Sequence, residues 1–336
     1  MLMDVVMLAF SLGLILFSSV VFTNGIELLG SRLKMNQGAT GSILAAVGTA
    51  LPETVIPVIA ILVYHDNTAH LVGIGAIAGS PFMLGTLAFF VTGAAVMIYA
   101  MLGRRTMTMH IEPEVVVRDL TFFVGLYGVA VLTTFVHGIV PLRCALAAGV
   151  CISYIFYVRQ TLHSKGLGHE EVDALHLSRM LGVKETGTWI TVQMVISLLI
   201  MVLGAHMFVG YVKNVSFAMG VSALVLSIII TPIATELPEK CNSVIWVGRR
   251  KDIMALGNIT GAMVFQSSFP VAFGMMFTPW DLRGAPMVSA GLALASAIMV
   301  LIWVKVRKSI SPYLLMTGGL FYGVFIAYLC LRAPAS

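Results

Sequence analysis

Long apolar runs, broken by short polar intervals, account for most of this chain. A membrane-spanning helix needs about 20 apolar residues, and ten runs approach that length: roughly 3–25, 39–63, 71–100, 115–136, 140–158, 188–212, 216–247, 253–277, 285–304 and 311–332. The pattern predicts an all-α polytopic membrane protein with about ten transmembrane helices. The first run follows Met1-Leu2-Met3-Asp4, which has no basic segment, and reads as a retained helix rather than a cleaved signal peptide. The most polar stretch, about 159–187, divides the spans into two sets of five. Five is odd, so the second set must enter the membrane in the opposite orientation. The expected plan is two inverted five-helix repeats, 1–158 and 188–336, joined by a cytoplasmic loop at 159–187 and forming one membrane domain.

Composition agrees with this pattern. Of 336 residues, 59% are hydrophobic and only 10% charged, with a mean hydropathy of +0.98, which excludes an ordinary soluble domain. The formal charge of +5 does not imply a nucleic-acid partner, because the basic residues follow membrane topology. With the N-terminus outside, fifteen of the 20 Lys and Arg fall in loops on one side, among them Arg32, Arg104, Arg105, Arg249, Arg250 and Lys251. The other side holds Arg143, Lys213, Arg283 and Arg332, and Lys240 is left inside a span. The positive-inside rule makes the richer side cytoplasmic and places both termini outside. The partners expected are the lipid bilayer and inorganic cations. A prokaryotic plasma (inner) membrane fits the compact chain. The four cysteines, Cys144, Cys151, Cys241 and Cys330, have no metal or redox spacing and read as free thiols.

One phrase occurs twice inside these apolar runs. Thr49-Ala50-Leu51-Pro52-Glu53 lies in the second span and Thr235-Glu236-Leu237-Pro238-Glu239 in the seventh. Proline removes a backbone hydrogen bond from a helix. A carboxylate in hydrocarbon costs roughly 2.5–3.5 kcal/mol on insertion scales, so intramembrane acids commonly mark an ion or proton path. All six aspartates are expected at or beyond span ends, and of the glutamates only Glu53, Glu236 and Glu239 are deep. Thr49 and Thr235 each precede a glutamate by four residues and share its helical face. A hydroxyl and a carboxylate on each face are hard oxygen ligands, suited to Na+, Ca2+ or Mn2+ rather than copper or zinc. A second repeated element follows each phrase: Gly75-Ala76-Ile77-Ala78-Gly79-Ser80 and Gly257-Asn258-Ile259-Thr260-Gly261-Ala262, at an offset of 182.

Glu236 stands three residues before Glu239 and four before Lys240. It can act as a third anionic ligand, as the partner of Lys240 in a neutralised helix pair, or as a carboxylate titrating jointly with Glu239. The pair is favoured, because an unpaired buried lysine is costly.

These motifs resemble the two α-repeats of the calcium/cation antiporter superfamily, most closely its sodium/calcium exchanger branch. The likeness covers roughly 40–92 and 227–278. It implies ten helices with cation sites between the second, third, seventh and eighth. It also implies ligands at Glu53, Glu239, Thr49, Thr235 and Ser80, with Gln266 at the position of an eighth-helix ligand. Several positions depart from the family pattern. Ala50 and Glu236 stand where serine is expected, Leu84 replaces a third-helix asparagine or aspartate, and Ala262 replaces a serine. Pro81 and Met263 replace the neighbouring asparagines. A single divalent site survives these changes more readily than several sodium sites.

The expected function is therefore a secondary active antiporter that exchanges Ca2+, or a similar divalent cation, for Na+ by alternating access around the two glutamates. Coupling to H+ is the alternative, or a divergent non-transporting or channel-like relative. The transported Ca2+ and Na+ (or H+) are substrates, and no cofactor is expected. An intramembrane enzyme is disfavoured: no two aspartates are expected deep in the membrane, and no histidine pair has metalloprotease spacing.

Overall fold

The structure is a computed structural model and describes residues 1–32, 50–64, 66–163, 174–182 and 184–332. Thirteen helices carry these residues. They are α1 (Leu2–Arg32), α2 (Leu51–Leu62), α3 (Asn67–Met101), α4 (Pro113–Thr133), α5 (Val140–His163), α6 (His176–Leu181) and α7 (Gly187–Met219). They continue as α8 (Ala223–Thr235), α9 (Leu237–Gly248), α10 (Asp252–Gln266), α11 (Phe269–Phe277), α12 (Ala285–Arg307) and α13 (Pro312–Arg332). Each of the ten apolar runs carries helix, so the chain is an all-helical polytopic membrane protein.

The sequence explains where helices start and break. Asp66 opens α3, its Oδ1 accepting from the Ala69 N–H at 2.8 Å, and Thr186 caps α7 in the same way at Trp189. Gly220 ends α7 at φ +64°. The seventh apolar run is not one helix: α8 stops at Thr235 and α9 begins at Leu237. The third run bends through a wide π-turn at Leu84–Ala88, just after Pro81. The eighth run breaks at Ser267-Ser268, between α10 and α11. At the repeat offset of 182, Leu84–Ala88 corresponds to Gln266–Pro270. Both elements are therefore interrupted at the same place.

Contacts between loops sort the connections into two groups. Arg105 Nη1 binds Asp252 Oδ1 at 2.6 Å, and Arg250 Nη2 donates to the Arg104 carbonyl at 2.9 Å, joining the α3–α4 and α9–α10 connections. At the other end of the 35-residue α3, Lys213 Nζ binds Asp66 Oδ2 at 2.5 Å. That ammonium holds the Asp66 carboxyl below its ordinary value. Asn214 donates to Asp4 at the same end. A helix of that length spans about 52 Å, well beyond a ~30 Å hydrocarbon core. This grouping is the one that strict alternation through ten spans requires.

Two apolar cores hold the bundle. The larger includes Phe82, Phe89, Phe123, Ile259, Met263 and Trp280, from α3, α4 and α10 to the α11–α12 connection. The smaller packs α1 and α7 side by side against α2, α8 and the start of α3, through Ile15, Ile56, Val72, Met201 and Phe208. The two cores meet along α3 and α8. A Cβ on Gly75 would lie 2.6 Å from the Leu224 carbonyl, and one on Gly79 would lie 2.5 Å from the Ile228 carbonyl and 2.8 Å from Pro232 Cγ. Only a bare backbone admits so close an approach. Gly79→Ala is therefore expected to lose about 1–3 kcal/mol of stability through overpacking. The exposed helical Gly291 has nothing within 4 Å, so Gly291→Ala should be neutral or slightly stabilising. Thermal unfolding of both variants in detergent checks this.

Candidate cation site

The repeated phrase makes the same local structure twice. Ala50 has φ −87° and ψ 6°, and Glu236 has φ −89° and ψ 9°. Each residue stands just outside a helix that begins at the following leucine. Proline comes next, at a position where its missing N–H would have had no partner in any case. Glu53 and Glu239 then occupy the first turn of α2 and of α9. Free N–H groups and the positive end of the helix dipole favour an anion there. The proline thus serves twice: it sets the start of the helix, and it puts the glutamate at an N-terminus deep in the protein.

The structure brings three carboxylates to one place. Glu53 is 1% exposed, and Glu236 and Glu239 are fully buried. Glu53 lies within electrostatic reach of both Glu239 and Glu236. Thr235 faces Glu53 from α8, while its own hydroxyl donates to the Thr231 carbonyl at 2.9 Å. Ser80 faces Glu236 from α3 without reaching hydrogen-bond geometry. Both carboxylate oxygens of Glu53, Oε1 of Glu236, the Ser80 hydroxyl and both amide atoms of Gln266 are buried and meet no protein hydrogen-bond partner. Buried polar atoms are nearly always partnered, so these atoms are exceptions.

Other expected residues behave differently. Gln266 is buried at the break after α10, but no direct bond joins it to the glutamates. Leu84 and Ala50 are fully buried and carry no oxygen on their side chains. Thr49 lies outside the described residues. Lys240 Nζ binds Glu236 Oε2 at 3.1 Å and the Pro232 carbonyl at 3.2 Å. Among the described residues, no three His, Cys, Asp or Glu side chains converge tightly enough to grip a metal by themselves.

The expectation that every aspartate lies at or beyond a span end needs correction at Asp119, whereas Asp252 is the first residue of α10, at a span end; both are 2% exposed. Asp252 is locked to Arg105 in the connection described above and also accepts from the His110 N–H at 2.9 Å. Asp119 lies well inside α4, because that helix starts at Pro113, and it joins three helices. It accepts from Arg118 at 3.0 Å, from the Tyr157 hydroxyl on α5 at 3.1 Å and from the Thr260 hydroxyl on α10 at 2.8 Å. Thr260 belongs to the second glycine motif, so this network anchors the helix that leads to Gln266. Helical periodicity carried the signal: Val116, Asp119, Phe123 and Leu126 fall on one buried face. Both aspartates are bonded in separate networks, so their burial does not assemble a protease-like acid pair.

An all-helical polytopic bundle of this kind defines an integral membrane protein. More particularly, the chain belongs to the sodium/calcium exchanger protein family, whose model matches residues 3–161 and 189–333. It is 25% identical over 270 residues to an uncharacterized membrane protein of Methanocaldococcus jannaschii, covering 80% of each chain. Among solved structures it is similar in fold to the H+/Ca2+ exchanger CAX, with a TM-score of 0.74 at 12% identity, covering 98% of this chain and 87% of the other. It is similar also to the sodium-calcium exchanger NCX_Mj soaked with Na+ and Sr2+, with a TM-score of 0.61 at 20% identity, covering 97% and 98%.

Removing the Asp119 carboxylate tests the network beside the site. Hydrogen bonds to charged groups contribute about 1.5–3 kcal/mol each, and neutral ones about 0.5–1.5 kcal/mol. Asp119→Ala is thus expected to destabilise the protein by at least the charged-bond value. Tyr157→Phe, which removes one of these bonds, should lose about 1.5–3 kcal/mol and less than Asp119→Ala. Unfolding midpoints in detergent give the comparison.

Proposed function

We propose that this protein is a secondary active cation antiporter, a transporter rather than an enzyme, that exchanges Ca2+ or a similar divalent cation for Na+. The observation that carries this reading is the meeting of Glu53 and Glu239, at the N-termini of α2 and α9, in a buried site rich in unpartnered oxygens. Ca2+ takes about 6–8 oxygens. The two carboxylates supply up to four, and Ser80, Thr235, Gln266, Thr49 and the carbonyls at the helix interruptions are the sources of the rest. The two solved neighbours support the cargo: one is an H+/Ca2+ exchanger, and the other a sodium-calcium exchanger soaked with Na+ and Sr2+.

On this reading the two inverted repeats, 1–158 and 188–336, each contribute one broken glutamate helix, and 159–187 connects them on the cytoplasmic side. The matching backbone angles at Ala50 and Glu236 support that division. The separate core of α1 and α7 supports a helix group that shifts across the glutamates to open one side and then the other. The Arg-rich connections around Arg105 and Arg250 face the cytoplasm, and both termini face outward across a prokaryotic plasma membrane.

H+ coupling is a second reading, favoured by one observation. Leu84 and Ala50 are fully buried where a sodium-coupled site would use oxygen ligands, while the site holds a third carboxylate, Glu236.

Radiolabelled calcium uptake into proteoliposomes loaded with sodium tests both readings. Uptake should follow the outward sodium gradient and fall to background in Glu53→Gln and in Glu239→Gln. Full activity in both variants would overturn the glutamate site. Uptake that ignores sodium but follows an imposed proton gradient would replace the first reading with the second.

A further inference from the structure

Lys240 lies deep inside an expected span, and its surroundings are unusual. It sits on α9 beside Cys241 and Leu237, which are exposed on the outer face of the helix. Its stem lines an apolar cleft of about 480 Å3 together with Leu87, Val91, Ile233 and Val244. A lysine at such a place ordinarily extends along the helix toward the membrane surface, where its ammonium finds water. Here the head turns inward. The side chain is 8% exposed, and Nζ meets two oxygens: Glu236 Oε2 at 3.1 Å and the Pro232 carbonyl at 3.2 Å.

Those two oxygens lie at the junction of α8 and α9, where the Glu236 N–H also donates to the Pro232 carbonyl at 3.2 Å. Pro232 lies on α8, Glu236 stands in the break, and Lys240 reaches back from α9. The ammonium therefore bridges two half-helices through a carbonyl and a carboxylate, which are the ligand types a bound alkali cation uses at such a break. The formal charges agree. Glu53, Glu236 and Glu239 carry three negative charges, and Lys240 returns one positive charge. The net value of −2 suits one divalent cation, with no negative charge left over for an additional monovalent one.

We propose that the Lys240 ammonium is a tethered substitute for a monovalent cation and permanently fills a subsite formed by Glu236 and the Pro232 carbonyl. The inference rests on the cation-site reading above and deepens it. It accounts for the acid at position 236 and the base at 240 together: each is costly in the membrane alone, and as a pair they form an ion-filled subsite that needs no ion from solution. A lysine that serves only to neutralise a helix would leave cation counts unchanged when removed, so the two roles are separable.

The test is equilibrium binding of radiolabelled sodium, and of rubidium as a potassium tracer, to purified protein in detergent with calcium chelated. Lys240→Met and Lys240→Gln are expected to bind one more monovalent cation per chain than the wild type. Lys240→Arg, which keeps the charge, should match the wild type. If Lys240→Met does not fold, Lys240→Gln decides, because its amide can still donate to Glu236. Adding Glu236→Gln to the Lys240→Gln variant should abolish the gain. A folded Lys240→Met or Lys240→Gln protein that binds no additional sodium or rubidium overturns the proposal. The count needs no transport, so it can fail while calcium exchange succeeds, and it can succeed in a protein that exchanges nothing.

Discussion

At membrane depth there is no water to satisfy a backbone group or a charge, so each must find its partner inside the protein. The rest of this structure depends on how that constraint is met where helices break. Side chains supply further donors to backbone carbonyls near the breaks. Thr54 donates to the Ala50 carbonyl at 3.1 Å before α2, and Lys240 to the Pro232 carbonyl at 3.2 Å before α9. Around the π-turn of α3, Ser296 donates to the Gly85 carbonyl at 2.6 Å and Tyr127 to Ala78 at 3.3 Å. The glutamates are then presented on free helix N-termini rather than along an unbroken helix, where no spare N–H would face them.

Close packing makes the interruptions converge. The bare face of α3 at Gly75 and Gly79 lets α8 lie directly against it, at Leu224, Ile228 and Pro232. That contact brings Ser80 on α3 opposite Glu236 at the end of α8. It also sets Thr235 toward Glu53. A larger residue at either glycine would push the α8 backbone away and separate groups that depend on each other across the two halves. The Asp119 network fixes its helices in a different way. Its bonds to Tyr157 and Thr260 tie α4, α5 and α10 together by polar contacts.

The span pattern, the two glutamates and the Glu236–Lys240 spacing were legible in the sequence because each follows from local physics. Apolar length marks a span, proline marks a break, and a separation of four residues places two side chains on one face. The buried pair at Asp119 and Thr260 was not legible by the same means, because it joins residues 141 positions apart. Asp119 was also assigned to a span end on hydropathy alone, although it shares a helical face with Val116, Phe123 and Leu126. Periodicity would have placed it inside; average hydropathy over a window could not. The interruption at Ser267-Ser268 was hidden for a similar reason. Ser-Ser followed by Phe-Pro lowers hydropathy little, yet Pro270 needs an early position in a new helix, and that requirement ends α10 at Gln266.

The backbone of the site is close to symmetric, while its chemistry is not. Ala50 and Glu236 have the same dihedral angles, yet one side chain is a methyl group and the other a carboxylate. Leu84 and Gln266 stand at matching interruptions, one apolar and one with two unpartnered polar atoms. In both comparisons the second half holds the polar member, while at Ser80 and Ala262 the first half does. Halves that differ at these positions cannot form two equivalent sites related by the repeat. On the proposed function this asymmetry has a direct consequence: the first half supplies mainly Glu53 and Ser80, and the second half sets which cation is held. Ligand preference should then be governed by Glu236 and Gln266 more than by Ala50 and Leu84, because those counterparts have no side-chain oxygen to offer.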